Sequence, residues 1–579
     1  MHMSAKFGNL GGMTAESAPE NNTVKTGSIE SLSVRTGLNA SKTGLTKAAS
    51  SLRLYDTATH SITDFRPVKA GEVSMYVCGA TVQSAPHVGH LRAAVAFDVV
   101  RRWLLKLGYN VTFVRNVTDI DDKILDKAAA ESQKWWARAY CYEREFTRAY
   151  DTLGVIAPTY EPRATGHVPQ MIELVNRLIE RGHAYAVENP DGTPSGNVYF
   201  DVPSWEKYGS LTHQQEGTKP ADEAAMTADR MGPGIDSAGD DKYNPADAAD
   251  LSEDKHDPRD FALWKASKES DPEDARWQTP FGTGRPGWHL ECSVMSHRYL
   301  GDDFDIHGGG LDLRFPHHEN EMAQSQAAGY GFAHRWMHSA WVTAKGEKMS
   351  KSLGTGLSVD TVLENYSAWE IRYAIASVQY RSMLEWSDRS LKEARAAYTR
   401  IANFLSRAKS VLGDDMYPSY VQIAAVDADS LPKAFVSAMN DDISVSGALA
   451  AVFSAIRSGN AVADTIASGK ADPKSAETES LRARLCTAVK DVRAMLDVFG
   501  LDPEADNAVS VSVGNKQSGL ADSAAIESGS GSAAEKLSSL IKEIADIRKA
   551  ERAAKRFDIA DKLRDILKNA GHSDSDAKA

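Results

Sequence analysis

Residues 73–117 read VSMYVCGATVQSAPHVGHLRAAVAFDVVRRWLLKLGYNVTFVRNV, and the order of patterns along this stretch decides the fold class. Val73–Val77 is a short apolar run, Ala93–Leu107 repeats its apolar residues at helical spacing, and Val111–Val117 is again strand-like. Gly108 stops the helix. A strand, a helix and a strand with short connections make a parallel βαβ unit, whose crossover is right-handed in nearly every case. A Rossmann-like α/β domain with a parallel sheet is therefore predicted, with ligands at the carboxyl ends of its strands. That puts the turn Cys78–His90 on the ligand side, opening directly into the helix. Free N–H groups and the dipole at such a terminus attract phosphate. His87 and His90 can donate to charge developing on a phosphoryl group, and Gly89 leaves room for a flat base.

Downstream, Val168, Ile172, Val175 and Ile179 lie at helical spacing in a segment that ends near Gly182 and leads into a hairpin around Asn189–Gly196. Residues 213–259 are dominated by Gly, Asp, Ala and Ser and read as a surface insertion without chemistry of its own. Trp277–Trp341 is a dense mixture of aromatics, His and Gly, the composition of a site. The expected organisation is a disordered leader (1–50), the first half of the catalytic domain (51–160) and a connective insertion (161–255) with a disordered acidic part (213–255). The second half of that domain (256–345) follows, then a loop region (346–389) and a helical bundle (390–504). A Ser/Ala/Gly-rich linker (505–534) and a helical C-terminal appendage (535–579) complete the chain.

Composition narrows the function class. With 42% hydrophobic and 25% charged residues over 579 positions, several globular domains are expected. No run approaches the roughly 20 apolar residues that cross a bilayer. The four cysteines, Cys78, Cys141, Cys292 and Cys486, are widely spaced and form no disulfide framework, so a cytoplasmic protein is expected. A formal charge of -13 argues against indiscriminate coating of nucleic acid, although a local basic face remains open to it.

Three further clusters carry chemistry. Lys345-Gly346-Glu347-Lys348-Met349-Ser350-Lys351-Ser352 sets two lysines three apart in a Gly- and Ser-bearing loop, which serves either as a mobile cationic clamp or as solvated surface. Pro316-His317-His318-Glu319-Asn320-Glu321 reads as a helix start with Pro at N1 and Gly329 as the stop. His317 and Glu321 then share one face, either seating a divalent metal or facing water as a pair. Cys78, at the end of the first strand, and Cys292, after Gly287-Trp288-His289-Leu290-Glu291, would complete a zinc ligand set, although their separation leaves spacing uninformative.

The HxGH and KMSKS elements together resemble the paired signature of class I aminoacyl-tRNA synthetases, and YVCGATV, GWHLECS and FPHHENE resemble the zinc-binding segments of the cysteinyl-tRNA synthetase family. NVTDIDDK (116–123) and DIHGGGLDL (305–313) are similar to further elements of that family. The resemblance covers roughly residues 53–500 outside the insertion. It implies activation of cysteine by ATP with Mg2+ and transfer to tRNA(Cys), by an enzyme expected to be a monomer. It carries phosphate handling onto His87, Gly89, His90, Lys348 and Lys351, and the ligation of one Zn2+ per subunit onto Cys78, Cys292, His317 and Glu321. Thr118, Trp288, His307 and Asp312 are implied to line the substrate pocket, whereas Asp121 and Asp122 read as acidic turn residues.

Two departures stand out: Thr355 where the family has Asn, and a polar tail after Gly571-His572 where the family continues into an anticodon-reading module. Basic residues from Arg548 to Lys568, interleaved with acidic ones, suit RNA phosphates or a salt-bridged solvated helix. Two rival readings are a mycothiol-pathway ligase that joins cysteine to an amino sugar, which also resembles this family, and a catalytically silent RNA-binding paralogue. The long helical region from about 390 to 500 is surplus to the former, and the intact signature residues speak against the latter.

Overall fold

The computed structural model describes residues 44–213, 252–344, 347–348 (backbone), 359–468 and 475–505. Two compact units divide the chain, Met1–Ser512 and Val513–Ala579, and the second lies wholly outside the described residues, as do Lys351, most of the acidic insertion and the basic tail.

A short hairpin, β1 (Arg53–Asp56) and β2 (Ser61–Asp64), precedes the βαβ unit, which consists of β3 (Glu72–Val77), α1 (Val88–Lys106) and β4 (Asn110–Arg115). β3 and β4 run parallel from Glu72 opposite Asn110 to Val77 opposite Arg115. β4 stops two residues before the expected Val117, because Asn116 turns its side-chain carbonyl onto the Gly79 N–H at 2.8 Å and Val117 bridges to Arg163 instead. Helices α2 (Asp122–Ala130), α3 (Trp135–Thr152) and α4 (Val168–Glu180) follow, the last ended by Gly182 at φ 77°.

The insertion is an antiparallel sheet of β5 (Ala184–Glu188), β6 (Pro194–Phe200), β7 (Phe261–Ala266), β8 (Trp277–Thr279) and β9 (Gly282–Pro286), in the order β5-β6-β7-β9-β8. It therefore extends to Pro286, beyond the boundary at 255 drawn from composition. An apolar run such as Phe261–Trp264 does not disclose which sheet it joins; the pairing of β7 with both β6 and β9 does.

The chain then returns to the parallel sheet through α5 (Trp288–Leu300), β10 (Phe304–Gly310), α6 (Glu319–Ala327) and β11 (Ala333–Ser339), giving the order β11-β10-β3-β4. β12 (Val342–Ala344) and β13 (Glu347–Lys348) lead to α7 (Val359–Leu363), α8 (Ala368–Ala376) and β14 (Leu384–Glu385), which pairs with β12. The remainder is helical: α9 (Asp388–Leu412), α10 (Tyr420–Ala424), α11 (Lys433–Asn440), α12 (Val445–Ala467) and α13 (Ala476–Val498).

Residues 47–51 form a 3-10 turn whose Lys47 and Ala48 N–H groups donate to Asp429, both at 2.8 Å, while Ala49 is buried. Residues 47–50, expected to belong to the leader, are therefore tied down by a partner some 380 positions away in sequence.

The bundle is locked to the parallel sheet through α1. Asp98 is buried; it pairs with Arg102 at 2.8 Å and with Arg372 of α8, and accepts from the Ile156 N–H at 2.9 Å. Arg372 also donates to the carbonyls of Leu153 and Phe499 at 2.7 and 2.6 Å. Among the described residues, no helix is long and apolar enough to cross a membrane.

Candidate active site and metal centre

The turn after β3 holds His87, Gly89 and His90 in a fixed form. His87 is the N-cap of α1: its Nδ1 accepts from the Gly89 N–H at 3.1 Å, and His90 Nδ1 accepts from the His87 N–H at 3.2 Å. The two imidazoles stack with centroids 3.8 Å apart, and Phe146 of α3 meets His90 edge-on at 4.9 Å. A Cβ at Gly89 would stand 2.9 Å from the His87 ring, so glycine is needed for this stack. Lys348 lies in β13 opposite Thr343; Lys351 lies outside the described residues.

Nine positions before His87, on the same turn, Cys78 enters the buried cluster. Its Sγ is 3.6 Å from Cys292 Sγ and 3.3 Å from Glu321 Oε1, and His317 Nε2 is 3.0 Å from the same Oε1. Four elements supply these groups: the end of β3 gives Cys78, α5 gives Cys292, the turn into α6 gives His317, and α6 gives Glu321. Pro316 is not the first residue of that helix, as expected from sequence. Phe315 is extended at φ -137°, and regular α-helix begins at Glu319, although His317 and Glu321 keep their i,i+4 relation. Gly329, at φ 83°, does follow its end.

These residues fit a zinc ion. A tetrahedral site with Zn–S near 2.3 Å needs sulfurs about 3.8 Å apart, close to the observed 3.6 Å. One donor atom from each of the four lies within 4.8 Å of all the others, and both cysteines are free. A second foursome, Cys78, His307, His318 and Glu321, meets the same distance. The first is favoured because it brings two soft sulfurs together and because Glu321 divides its oxygens: Oε1 faces Cys78 and His317, while Oε2 accepts from His307 Nε2 at 2.8 Å.

Surrounding groups hold these side chains in place. His289 Nδ1 lies 3.0 Å from His317 Nδ1, and Trp288 stacks on the His317 ring at 4.1 Å. Neither His289 nor Asn116 was singled out from sequence. His289 could have been, since it stands three residues before Cys292 on α5 and so shares its face. Asn116 could not, because its role depends on close approach of the chain at Gly79, where a Cβ would sit 1.7 Å from the Asn116 carbonyl oxygen.

Burial opposes ionisation throughout, yet charge is sustained in the cluster. Burial raises Cys292, but the hydrogen bond from Cys78 and the neighbouring His317 bring its thiol down to about 6. Burial likewise raises Glu321, and His307 and His317 hold it well below the carboxylate range. For His317 burial works downward, but Glu321 and Cys292 lift it to about 10. Burial pushes the Cys78 thiol well up. A metal ion favours the deprotonated form of every one of these donors.

The remaining predicted pocket residues are placed as follows. Thr118 is buried, donates to Glu291 Oε2 at 2.9 Å and receives Asn116 Nδ2 at 3.2 Å. His307 is buried, stacked on Trp336 at 4.6 Å and bonded to Glu321, so it orients the carboxylate. Asp312 is exposed in the turn after β10 and stands outside the ligand cluster. Asp121 caps α2, accepting from the Lys123 N–H at 2.8 Å, and Asp122 binds Lys265, Lys268 and Arg285, so both act structurally.

A family model described as the tRNA synthetases class I (C) catalytic domain matches residues 64–396. The chain belongs to that family. A cysteine–tRNA ligase of Bifidobacterium longum is 64% identical over 528 residues, covering 91% of this chain and 93% of that protein. A cysteine–tRNA ligase of Beutenbergia cavernae is 49% identical over 521 residues, covering 90% and 96%. Among solved structures, Mycobacterium tuberculosis methionyl-tRNA synthetase in complex with methionyl-adenylate aligns with a TM-score of 0.52 at 18% identity, over 79% of this chain and 99% of that one. At that identity the likeness establishes the shared α/β architecture alone.

Proposed function

We propose that the chain is a cysteine–tRNA ligase that forms cysteinyl-adenylate from cysteine and ATP, the latter with Mg2+, and transfers the cysteinyl group to the 3′ end of tRNA(Cys). The carrying observation is the buried convergence of Cys78, Cys292, His317 and Glu321 on the same strand-end turn that carries His87 and His90. Near-full-length similarity to proteins named cysteine–tRNA ligase supports the same reading.

In adenylation the cysteine carboxylate attacks the α-phosphorus of ATP and pyrophosphate leaves; a ribose hydroxyl of the terminal tRNA nucleotide then attacks the carbonyl and AMP leaves. His87 and His90, presented at the N-terminus of α1, donate to the phosphates, and Gly89, where a Cβ would meet the His87 ring, lets the two imidazoles stack. Lys348 and Lys351 are assigned to charge that appears as pyrophosphate departs. Cys78, Cys292, His317 and Glu321 would hold Zn2+, with His307 and His289 fixing Glu321 and His317. Bound there, zinc supplies a soft Lewis acid that prefers the substrate's thiolate to a serine hydroxyl. Thr118, Trp288 and Asp312 are assigned to framing the rest of the amino acid. A pocket organised around one polar group can reject its isosteres by about 10⁴–10⁵ without an editing step.

Charging of tRNA(Cys) by the purified protein, with cysteine, serine and alanine compared, tests this reading. Cysteine alone should be esterified; efficient charging with serine, or transfer of cysteine to an amino sugar in place of tRNA, overturns it.

A further inference from the structure

Two of the six exposed large hydrophobic side chains among the described residues, Trp136 (52%) and Tyr140 (54%), stand one turn apart on α3. Exposed Arg144 and Arg148 continue the same four-residue spacing, so the outer face of α3 is a winding stripe of two aromatics and two guanidinium groups. The other face is built onto the nucleotide turn: Phe146 meets His90, and Arg138 Nε donates to the Gln83 carbonyl at 3.1 Å.

Both ends of the stripe are tethered. Trp136 Nε1 donates to Asp274 of the insertion at 3.2 Å, and Arg148 pairs with Asp360 of α7 at 3.0 Å. The indole is thus held while half its surface stays in water. Exposed Arg163 pairs at 2.8 Å with Glu143, which follows Tyr140 by three residues on α3. Exposed ion pairs of this kind contribute little to stability, so their guanidinium groups can turn to phosphate at small cost.

Half-exposed aromatics interleaved with arginine, in a protein of formal charge -13, match the chemistry of unpaired nucleotides: bases stack on the rings and phosphates meet the cations. We infer that this face of α3 guides the single-stranded 3′ nucleotides of the tRNA to the pocket, with bases against Trp136 and Tyr140 and phosphates at Arg144, Arg148 and Arg163. The inference rests on the tRNA-ligase reading and gives one surface of the substrate's path.

The test uses the full-length enzyme with Trp136 and Tyr140 both changed to Ala, or both to Phe. For the Ala pair, kcat/KM for tRNA charging should fall about tenfold or more while cysteine-dependent pyrophosphate exchange stays within about twofold. The Phe pair, which keeps stacking surface, should restore charging. Binding of a tRNA lacking its 3′-terminal nucleotides should be insensitive to the Ala pair, whereas binding of intact tRNA should weaken. Unchanged charging by the Ala pair, an equal loss of exchange, or an equal loss of binding for truncated and intact tRNA overturns the inference. Failure of the unsubstituted enzyme to charge any tRNA overturns the ligase reading instead.

Discussion

Glu321 illustrates how single residues set the chemistry of the centre. One oxygen faces Cys78 and His317, and the other accepts from His307, which fixes the direction of the carboxylate. Removing that outer hydrogen bond with His307→Ala should lower zinc affinity by about 10- to 100-fold, measured by competition with a chromophoric chelator; unaltered affinity would show that Glu321 needs no such support. Changing Cys292→Ser removes a soft donor, and zinc content of the purified protein should drop while cysteine loses its advantage over serine in pyrophosphate exchange. The segments that carry Cys78, Cys292, His317 and Glu321, and those of His87 and His90, are legible in the sequence as motifs, and the structure brings the first four within reach of one ion. His289 was overlooked within a quoted motif, and Asn116 was hidden because a side-chain contact to a neighbouring backbone leaves no periodic trace.

At the scale of elements, α1 joins the two halves of the described structure. Burial alone would raise the Asp98 carboxyl, but Arg102 and Arg372 hold it down at about 2, below its ordinary 3.8. A depressed folded value means this contribution to stability is fully present above pH 3.8 and is lost as pH falls through about 2. Asp98→Asn leaves Arg372 buried without its counter-charge and should cost about 3–5 kcal/mol, read by urea denaturation at neutral pH, with the acid-sensitive component between those two values abolished. Gly79→Ala, which forces a Cβ onto the Asn116 carbonyl, should destabilise by about 1–3 kcal/mol or more, and should disturb Cys78 next to it. The βαβ unit was legible because its periods change from strand to helix and back. The start of α6 was not, since Pro316 lies in an irregular turn that only tertiary contacts define.

For the whole molecule, the parallel sheet sets the ligand side and the helical bundle braces it from behind α1. Composition marked an insertion but misplaced its end, because strands of an antiparallel sheet and of a buried parallel one share the same apolar run until pairing is known. Lys351→Ala should leave thermal unfolding unchanged while lowering adenylate formation by at least about 10²-fold, the scale of losing a charge-stabilising group in the transition state; parallel calorimetry and pyrophosphate exchange separate the two effects.

Capture of substrate sulfur at a zinc ion is the claim on which the others depend, and X-ray absorption at the zinc edge reads it directly on the purified protein. Without cysteine the spectrum should report two sulfur and two nitrogen or oxygen ligands, with sulfur at about 2.3 Å, and a third sulfur should enter when cysteine, but not serine, is added. A protein that binds no zinc, or whose zinc keeps the same two sulfurs with cysteine saturating, would contradict it.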